Sequence, residues 1–170
     1  DDIIPARIIE VHRELYKAIC THGEVSAKLK GSFLKNLNNR EDYPAVGDFV
    51  NLIYNPIGES KIVKLLPRKS KFSRMDLSGH NPRHAKTVLE QVVAANFDYV
   101  FIMSSLNQDF NANRISRYLT QAYQSGATPV VILTKSDLCP DYEDKIEKVK
   151  ALSNDLDVIA VSSQTGAGID

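Results

Sequence analysis

Two short polar stretches hold the side chains best suited to chemistry: Thr134-Lys135-Ser136-Asp137 and Ser162-Ser163-Gln164. Each follows an apolar run, Val130-Val131-Ile132-Leu133 and Val158-Ile159-Ala160-Val161. Unbroken runs of β-branched residues read as strands of a parallel sheet. Ligands of such sheets bind outside the carboxyl ends of the strands. An aspartate at that place, Asp137, can accept from the N1–H and N2 amino group of guanine together. Adenine offers neither donor and would leave the carboxylate unpaired, which is a strong basis for discrimination. Lys135 can lay its methylene stem over a base plane. Backbone N–H groups of the second loop, that of Ser163 first among them, can meet the guanine O6.

Taken alone, Lys-x-Asp after a strand is a weak signal, since it also suits a solvated lysine and a capping aspartate. The pair of loops, one helix apart, is much more specific. It resembles the base-recognition elements of GTPases, the Asn/Thr-Lys-x-Asp motif and the Ser-Ala-Lys-type loop. Thr134 stands where asparagine is commoner, and this reduces the amide bridge to a phosphate loop.

These loops need a sheet to hold them, and the surrounding pattern supplies one. Tyr99–Met103 reads as a first buried strand. Ile115, Tyr118, Leu119 and Ala122 mark one face of a helix that Gly126 stops. Asp141 with Asp144 suggests an N-cap, and Ile146, Val149 and Leu152 an inner stripe. Strand–helix–strand–helix–strand implies a parallel sheet with right-handed crossovers. The phosphate-cradling pattern Gly-x-x-x-x-Gly-Lys-Ser/Thr occurs nowhere in the sequence.

The first third of the chain is of another kind. Five short runs, 7–12, 15–20, 25–30, 49–53 and 60–66, carry strand patterning with turn punctuation. They predict a small Greek-key barrel, an OB-fold first and an SH3-like barrel as its rival. Lys28, Lys30, Lys35 and Arg40 cluster near one hairpin and loop, where OB-folds often bind oligonucleotides. A solvated strand face is the plainer alternative. Tyr16 and Phe33 suit base stacking, with barrel core as the plainer reading. Residues 69–88 read as a basic linker entered at Arg68: Arg68, Lys69, Lys71, Arg74, Arg83 and Lys86 oppose Asp76 alone. Such a stretch suggests phosphate contacts with RNA. The expected division is therefore a barrel at 1–68, a linker at 69–88 and an α/β part at 89–170.

The whole chain sets limits on function. Formal net charge is zero and 43% of residues are hydrophobic, which fits a soluble globular protein and places any basic footprint locally. Cys20 and Cys139 have neither ligand spacing nor a framework, as in a reducing cytosol. No apolar run reaches membrane-spanning length. The opening Asp1 in place of methionine suggests a fragment or a processed product.

Several further blocks carry a closer resemblance. They are Arg68-Lys69-Ser70-Lys71-Phe72-Ser73-Arg74, Glu90-Gln91-Val92-Val93-Ala94-Ala95-Asn96, Leu106-Asn107-Gln108-Asp109-Phe110-Asn111 with Arg114 and Arg117-Tyr118-Leu119, and Ser125-Gly126-Ala127-Thr128-Pro129. From Arg7 onward the chain resembles the small-subunit-dependent, circularly permuted GTPases of the RsgA, or YjeQ, family. The resemblance implies an OB-fold followed by the truncated first half of a permuted P-loop GTPase domain, the phosphate loop lying beyond Asp170. It also implies GTP and Mg2+ as cofactors of the parent, and zinc in a C-terminal domain outside this chain. Its partners would be the 30S subunit and 16S rRNA in the cytoplasm, with no membrane and no DNA, and its activity GTP hydrolysis during late subunit maturation. The nucleotide site would be Thr134, Lys135, Ser136, Asp137, Ser162, Ser163 and Gln164, and the RNA site Lys28, Lys30, Lys35, Arg40, Arg68, Lys69, Lys71 and Arg74. No residue here is a candidate catalyst or metal ligand. The parent would be monomeric, and this chain inactive by itself and prone to self-association. Two rivals stand beside this: an RNA-binding OB module with a non-catalytic scaffold, and an ATP-using P-loop enzyme with an appended barrel, which the Asp137 and Ser162 loops disfavour.

Overall fold

The structure, a computed structural model, describes residues 2–76 and 89–169. It comprises two compact units, Asp1–Phe97 and Asp98–Asp170.

The first unit holds a closed barrel of β1 (Ile3–Val11), β2 (Tyr16–Cys20), β3 (Gly23–Leu29), β4 (Phe49–Ile53) and β5 (Ser60–Leu65), in the order β1-β2-β3-β5-β4. The β3–β5 pair is parallel and the others antiparallel. This is the expected OB-type barrel. Strand β1 serves two neighbours: it pairs β4 over Ile3–Arg7 and β2 over Ala6–Val11, and an irregularity between Ile8 and Glu10 bends it. The interior combines Ala6, Ala18 and Ala27 with Ile8, Leu52 and Ile62. Small residues leave a narrow barrel room for large ones. Burying each Ile or Leu contributes about 1.5–3 kcal/mol.

The expected linker is in part a β-ribbon. Strand β6 (Lys71–Asp76) pairs antiparallel with β7 (Leu89–Ala95), and both belong to the first compact unit, which ends at Phe97. The cause is a set of backbone bonds to the barrel. Ala95 N donates to Val46 O at 2.9 Å, and the Asn96 side-chain amide donates to Gly47 O at 3.2 Å. Gly47 has φ +90°, and a Cβ there would lie 2.0 Å from Ala95 O. Only glycine lets the two backbones approach so closely. The Ser70 hydroxyl donates to Phe97 O at 2.6 Å and accepts from Phe97 N at 2.9 Å. Arg83 and Lys86 lie outside the described residues.

The second unit is a parallel sheet, order β10-β9-β8, of β8 (Tyr99–Ser105), β9 (Thr128–Thr134) and β10 (Asp157–Val161). Helices α2 (Ala112–Ser125) and α3 (Glu143–Lys150) share its core, which gathers Ile102, Leu106, Ile115, Leu119, Val131, Leu133 and Val149. The one-turn α1 (Gly31–Leu34) belongs to the barrel unit. Asn111 caps α2 by accepting from Arg114 N at 2.9 Å, and Gly126 ends it in the left-handed region.

Three local expectations change. Strand β8 is buried on one face only: Tyr99, Phe101 and Met103 are 62%, 63% and 66% exposed. Asp141 does not cap α3, whose N-cap position is Tyr142 without a side-chain bond. Leu152 lies past the end of α3 and is exposed, because the helix stops at Lys150.

Candidate guanine site

Strand register brings the two polar loops side by side. Val161 stands opposite Thr134, and Thr134 opposite Ser105, so all three strands end at one level. Thr134 O accepts from Leu106 N at 2.8 Å, which ties the β8 and β9 ends together. Lys135 then takes φ 61° and ψ 41°, an uncommon conformation for a residue with a side chain. This corner starts a 3-10 turn, Ser136–Leu138. Ser136 is buried, whereas Asp137 and Lys135 are exposed at the rim.

The decisive contact joins the loops. The fully buried Ser162 donates its hydroxyl proton to Asp137 Oδ1 at 2.5 Å. Short O–H···O⁻ bonds of this kind are charge-assisted and stronger than neutral ones. The same Oγ accepts from Thr165 N at 3.2 Å. Ser162 N donates to Ala167 O, and Gly166 N to Ser162 O, each at 2.9 Å. Gly168 has φ +73°, and a Cβ there would fall 2.3 Å from Ala160 O, so glycine lets this loop fold back on β10. Ser163 and Gln164 are exposed on its outer side. Among the described residues no group accepts the Ser163 N–H.

Asp137 is thus held by one oxygen and keeps Oδ2, with the second lone pair of Oδ1, for a ligand. That is the acceptor pair a guanine edge needs. We expect Ser162→Ala to lower guanine-nucleotide affinity about tenfold in a protein that joins these loops to a phosphate loop. A bond to a charged group is worth about 1.5–3 kcal/mol, and part of it is recovered by water. Titration with a fluorescent guanine nucleotide measures this. Unchanged affinity would show that the carboxylate needs no orientation.

Sequence reasoning missed Lys145. Its ammonium donates to Leu106 O at 2.6 Å and to Cys139 Sγ at 3.2 Å, and lies 5.5 Å from the centre of the Phe110 ring. It links the loop after β8 to the turn after Asp137. A lysine in a helix gives no signal of such a role unless the loop it reaches is already placed.

The basic residues of the first unit do not form one site. Arg68 is not a surface contact: its guanidinium donates from Nε to Asp48 Oδ1 at 2.8 Å and from Nη2 to Asp48 Oδ2 at 2.7 Å. It also donates to the carbonyls of Glu41 and Tyr43. Asp48 is fully buried, so Arg68 is drawn inward as its counter-charge. Lys28 pairs with Glu59 at 2.8 Å and Lys71 with Glu41 at 3.1 Å. The Lys28 bond holds the Glu59 carboxyl below its ordinary value. Lys30, Lys35 and Lys69 are exposed, the first two at the two ends of α1. Tyr16 is barrel core and Phe33 packs against that core, so the plainer reading holds for both. Only Arg40 and Arg74 converge, on one groove that Arg13 also lines.

Among the described residues no cluster of three or more His, Cys, Asp or Glu could hold a metal ion. Among the described residues the two loops offer no magnesium or zinc ligand set.

A family model described as RsgA GTPase matches residues 65–170. The chain is 36% identical over 169 residues to the small ribosomal subunit biogenesis GTPase RsgA of Syntrophotalea carbinolica, covering 99% of this chain and 46% of that one. It is 38% identical over 167 residues to the small ribosomal subunit biogenesis GTPase RsgA 2 of Lactiplantibacillus plantarum, covering 98% and 45%. The chain spans about half the length of the curated relatives it matches. Two solved structures share its fold: YjeQ from Thermotoga maritima, with TM-score 0.70, 23% identity and coverage of 99% and 55%, and YloQ, a circularly permuted GTPase, with 0.71, 20%, and 96% and 53%.

Proposed function

The chain belongs to the RsgA GTPase family, and from that premise we propose that it is the guanine-reading and barrel-bearing part of a GTP hydrolase that acts on the small ribosomal subunit. The observation that carries this is the Ser162–Asp137 bond, which braces one carboxylate at a strand end with two acceptor positions left over. Thr134 and Ser136 shape the first loop, Lys135 covers the base, Asp137 reads N1–H and N2, and Ser163 N–H with the Gln164 turn meets O6. The relatives' names supply the ribosomal partner, and the barrel is its contact with 16S rRNA during 30S maturation. A cytoplasmic setting goes with that partner. No helix among the described residues is long and apolar enough to cross a membrane. GTP is the nucleotide, and Mg2+ and zinc belong to segments that longer relatives carry. The exposed Tyr99, Phe101 and Met103 favour self-association of this chain on its own, the longer protein being monomeric.

Affinity for a triphosphate comes largely from N–H groups, a lysine and magnesium at the phosphates. The 170-residue chain has no such loop in its sequence. It is therefore expected to bind guanosine nucleotides weakly, to prefer them over adenosine ones, and not to turn over GTP. Chemical-shift changes on titration with GMP and AMP test the base preference. Shifts confined to 134–138 and 162–167 with GMP alone support the reading, and equal shifts with AMP would remove it.

A further inference from the structure

Within the barrel unit, a groove of about 670 Å³ runs between the β1–β2 loop, the 39–46 segment and the β6–β7 ribbon. That volume is in the range of small-ligand pockets, roughly 300–1,000 Å³. Three arginines line it, Arg13, Arg40 and Arg74, and among the described residues no carboxylate does. In a chain with 21 basic and 21 acidic residues this is a strong local bias. Two nearby acids are engaged elsewhere: Glu10 with Lys17 and His12, and Glu41 with Lys71. Neither Arg13 nor Arg74 has an ion pair with any described residue. Beside the arginines lie apolar walls open to solvent, with Tyr43 40%, Val46 41% and Val93 45% exposed. The floor is dry. Tyr16 is buried there, and its burial, with Tyr43 nearby, raises its phenol above the ordinary value.

We propose that this groove takes one unstacked nucleotide of single-stranded RNA, its base against Tyr43 and the two valines and its phosphates on Arg13 and Arg74. The choice of RNA rests on the ribosomal reading above. The pairing of features selects the ligand. A nucleotide joins an apolar π-face to an anion through a short sugar, and aromatic platforms beside cationic grooves bind single strands. An acidic peptide would satisfy the arginines but leave Tyr43, Val46 and Val93 wet. A duplex keeps its bases stacked and offers phosphates alone. The hairpin lysines Lys28 and Lys30 play no part in the groove.

The test uses the full chain with a fluorescein-labelled oligouridylate, read by anisotropy across a salt series. Arg13→Ala with Arg74→Ala is expected to flatten the slope of log affinity against log salt by about 1.4, roughly 0.7 for each single-strand phosphate that is no longer neutralised. Tyr43→Ala is expected to weaken binding about tenfold with the slope unchanged, because stacking carries no counterion. Tyr43→Phe should restore the affinity, which separates loss of the ring from misfolding. A duplex RNA of equal length should bind more weakly than the single strand. The groove assignment fails if both sets of variants bind like the parent chain while Lys28→Ala with Lys30→Ala loses affinity, since RNA would then lie on the hairpin. It also fails if polyglutamate competes as well as the oligonucleotide, or if the duplex binds equally. The absence of any salt-dependent RNA binding by the unmodified chain would instead remove the ribosomal-RNA reading on which it rests.

Discussion

Asp137→Asn is expected to turn a guanine-nucleotide preference into a xanthine-nucleotide preference, in a protein that joins such loops to a phosphate loop. The carboxylate accepts from N1–H and N2 together, whereas asparagine has one acceptor and adds a donor. Xanthine keeps N1–H but carries a carbonyl at C2, so the new donor finds a partner. With GTP that donor faces the N2 amino group, and both are left unpaired. Each buried unpaired group costs about 1–3 kcal/mol. Two such groups cost at least about 2 kcal/mol, so the expected loss for GTP is about 30-fold or more. The Ser162 bond sharpens the test: its hydroxyl can still donate to the asparagine carbonyl, which fixes the orientation of the amide. Fold stability should hardly change, because Asp137 is exposed and the exchange is nearly isosteric. Competition between GTP and XTP on the folded variant measures the switch. A retained preference for GTP would mean that Asp137 does not read the base.

What could be read from the sequence was local. Strand β9 announces itself by an apolar run, and Thr134–Asp137 by its place after that run. The Ser162 loop follows because β10 repeats the pattern one helix later, and parallel pairing then puts both loops at one level. The barrel was legible as well, from alternation and turns. What escaped was set by partners distant in sequence. Lys71–Asp76 reads as a charged linker because its pairing strand, Leu89–Ala95, lies beyond a polar stretch. Asn96 and Gly47 meet across 49 residues, so nothing near either one forecasts their bond. The exposed face of β8 has the same cause in reverse: Tyr99, Phe101 and Met103 are apolar enough to suggest burial, and no described element covers them. Arg68 reads as one more member of a basic run because the buried carboxylate that it meets lies twenty residues away.

That carboxylate makes Arg68→Ala the substitution with the largest expected effect on stability. Asp48 is fully buried and accepts from Ala45 N at 2.7 Å and from two nitrogens of Arg68. Its backbone meanwhile anchors β1, since Ile8 N donates to Asp48 O at 2.8 Å. Removing the guanidinium leaves a buried charge with a single N–H for company. Breaking such a pair from one side costs about 3–5 kcal/mol, out of about 5–15 kcal/mol for an ordinary domain. The carbonyls of Glu41 and Tyr43 lose their donor in the same step. Lysine should not rescue the loss, because one ammonium cannot span both carboxylate oxygens and two carbonyls. Lys69→Ala, one residue away and exposed, should shift stability by no more than about 0.5 kcal/mol. Arg68→Met with Asp48→Leu should recover much of the deficit, since replacing both charges removes the uncompensated one. Urea unfolding of the four variants, followed by barrel circular dichroism, gives the comparison. If Arg68→Ala unfolds at the parent's midpoint yet binds RNA less tightly, the arginine is a surface contact after all, and the buried pair does not hold the barrel to its ribbon.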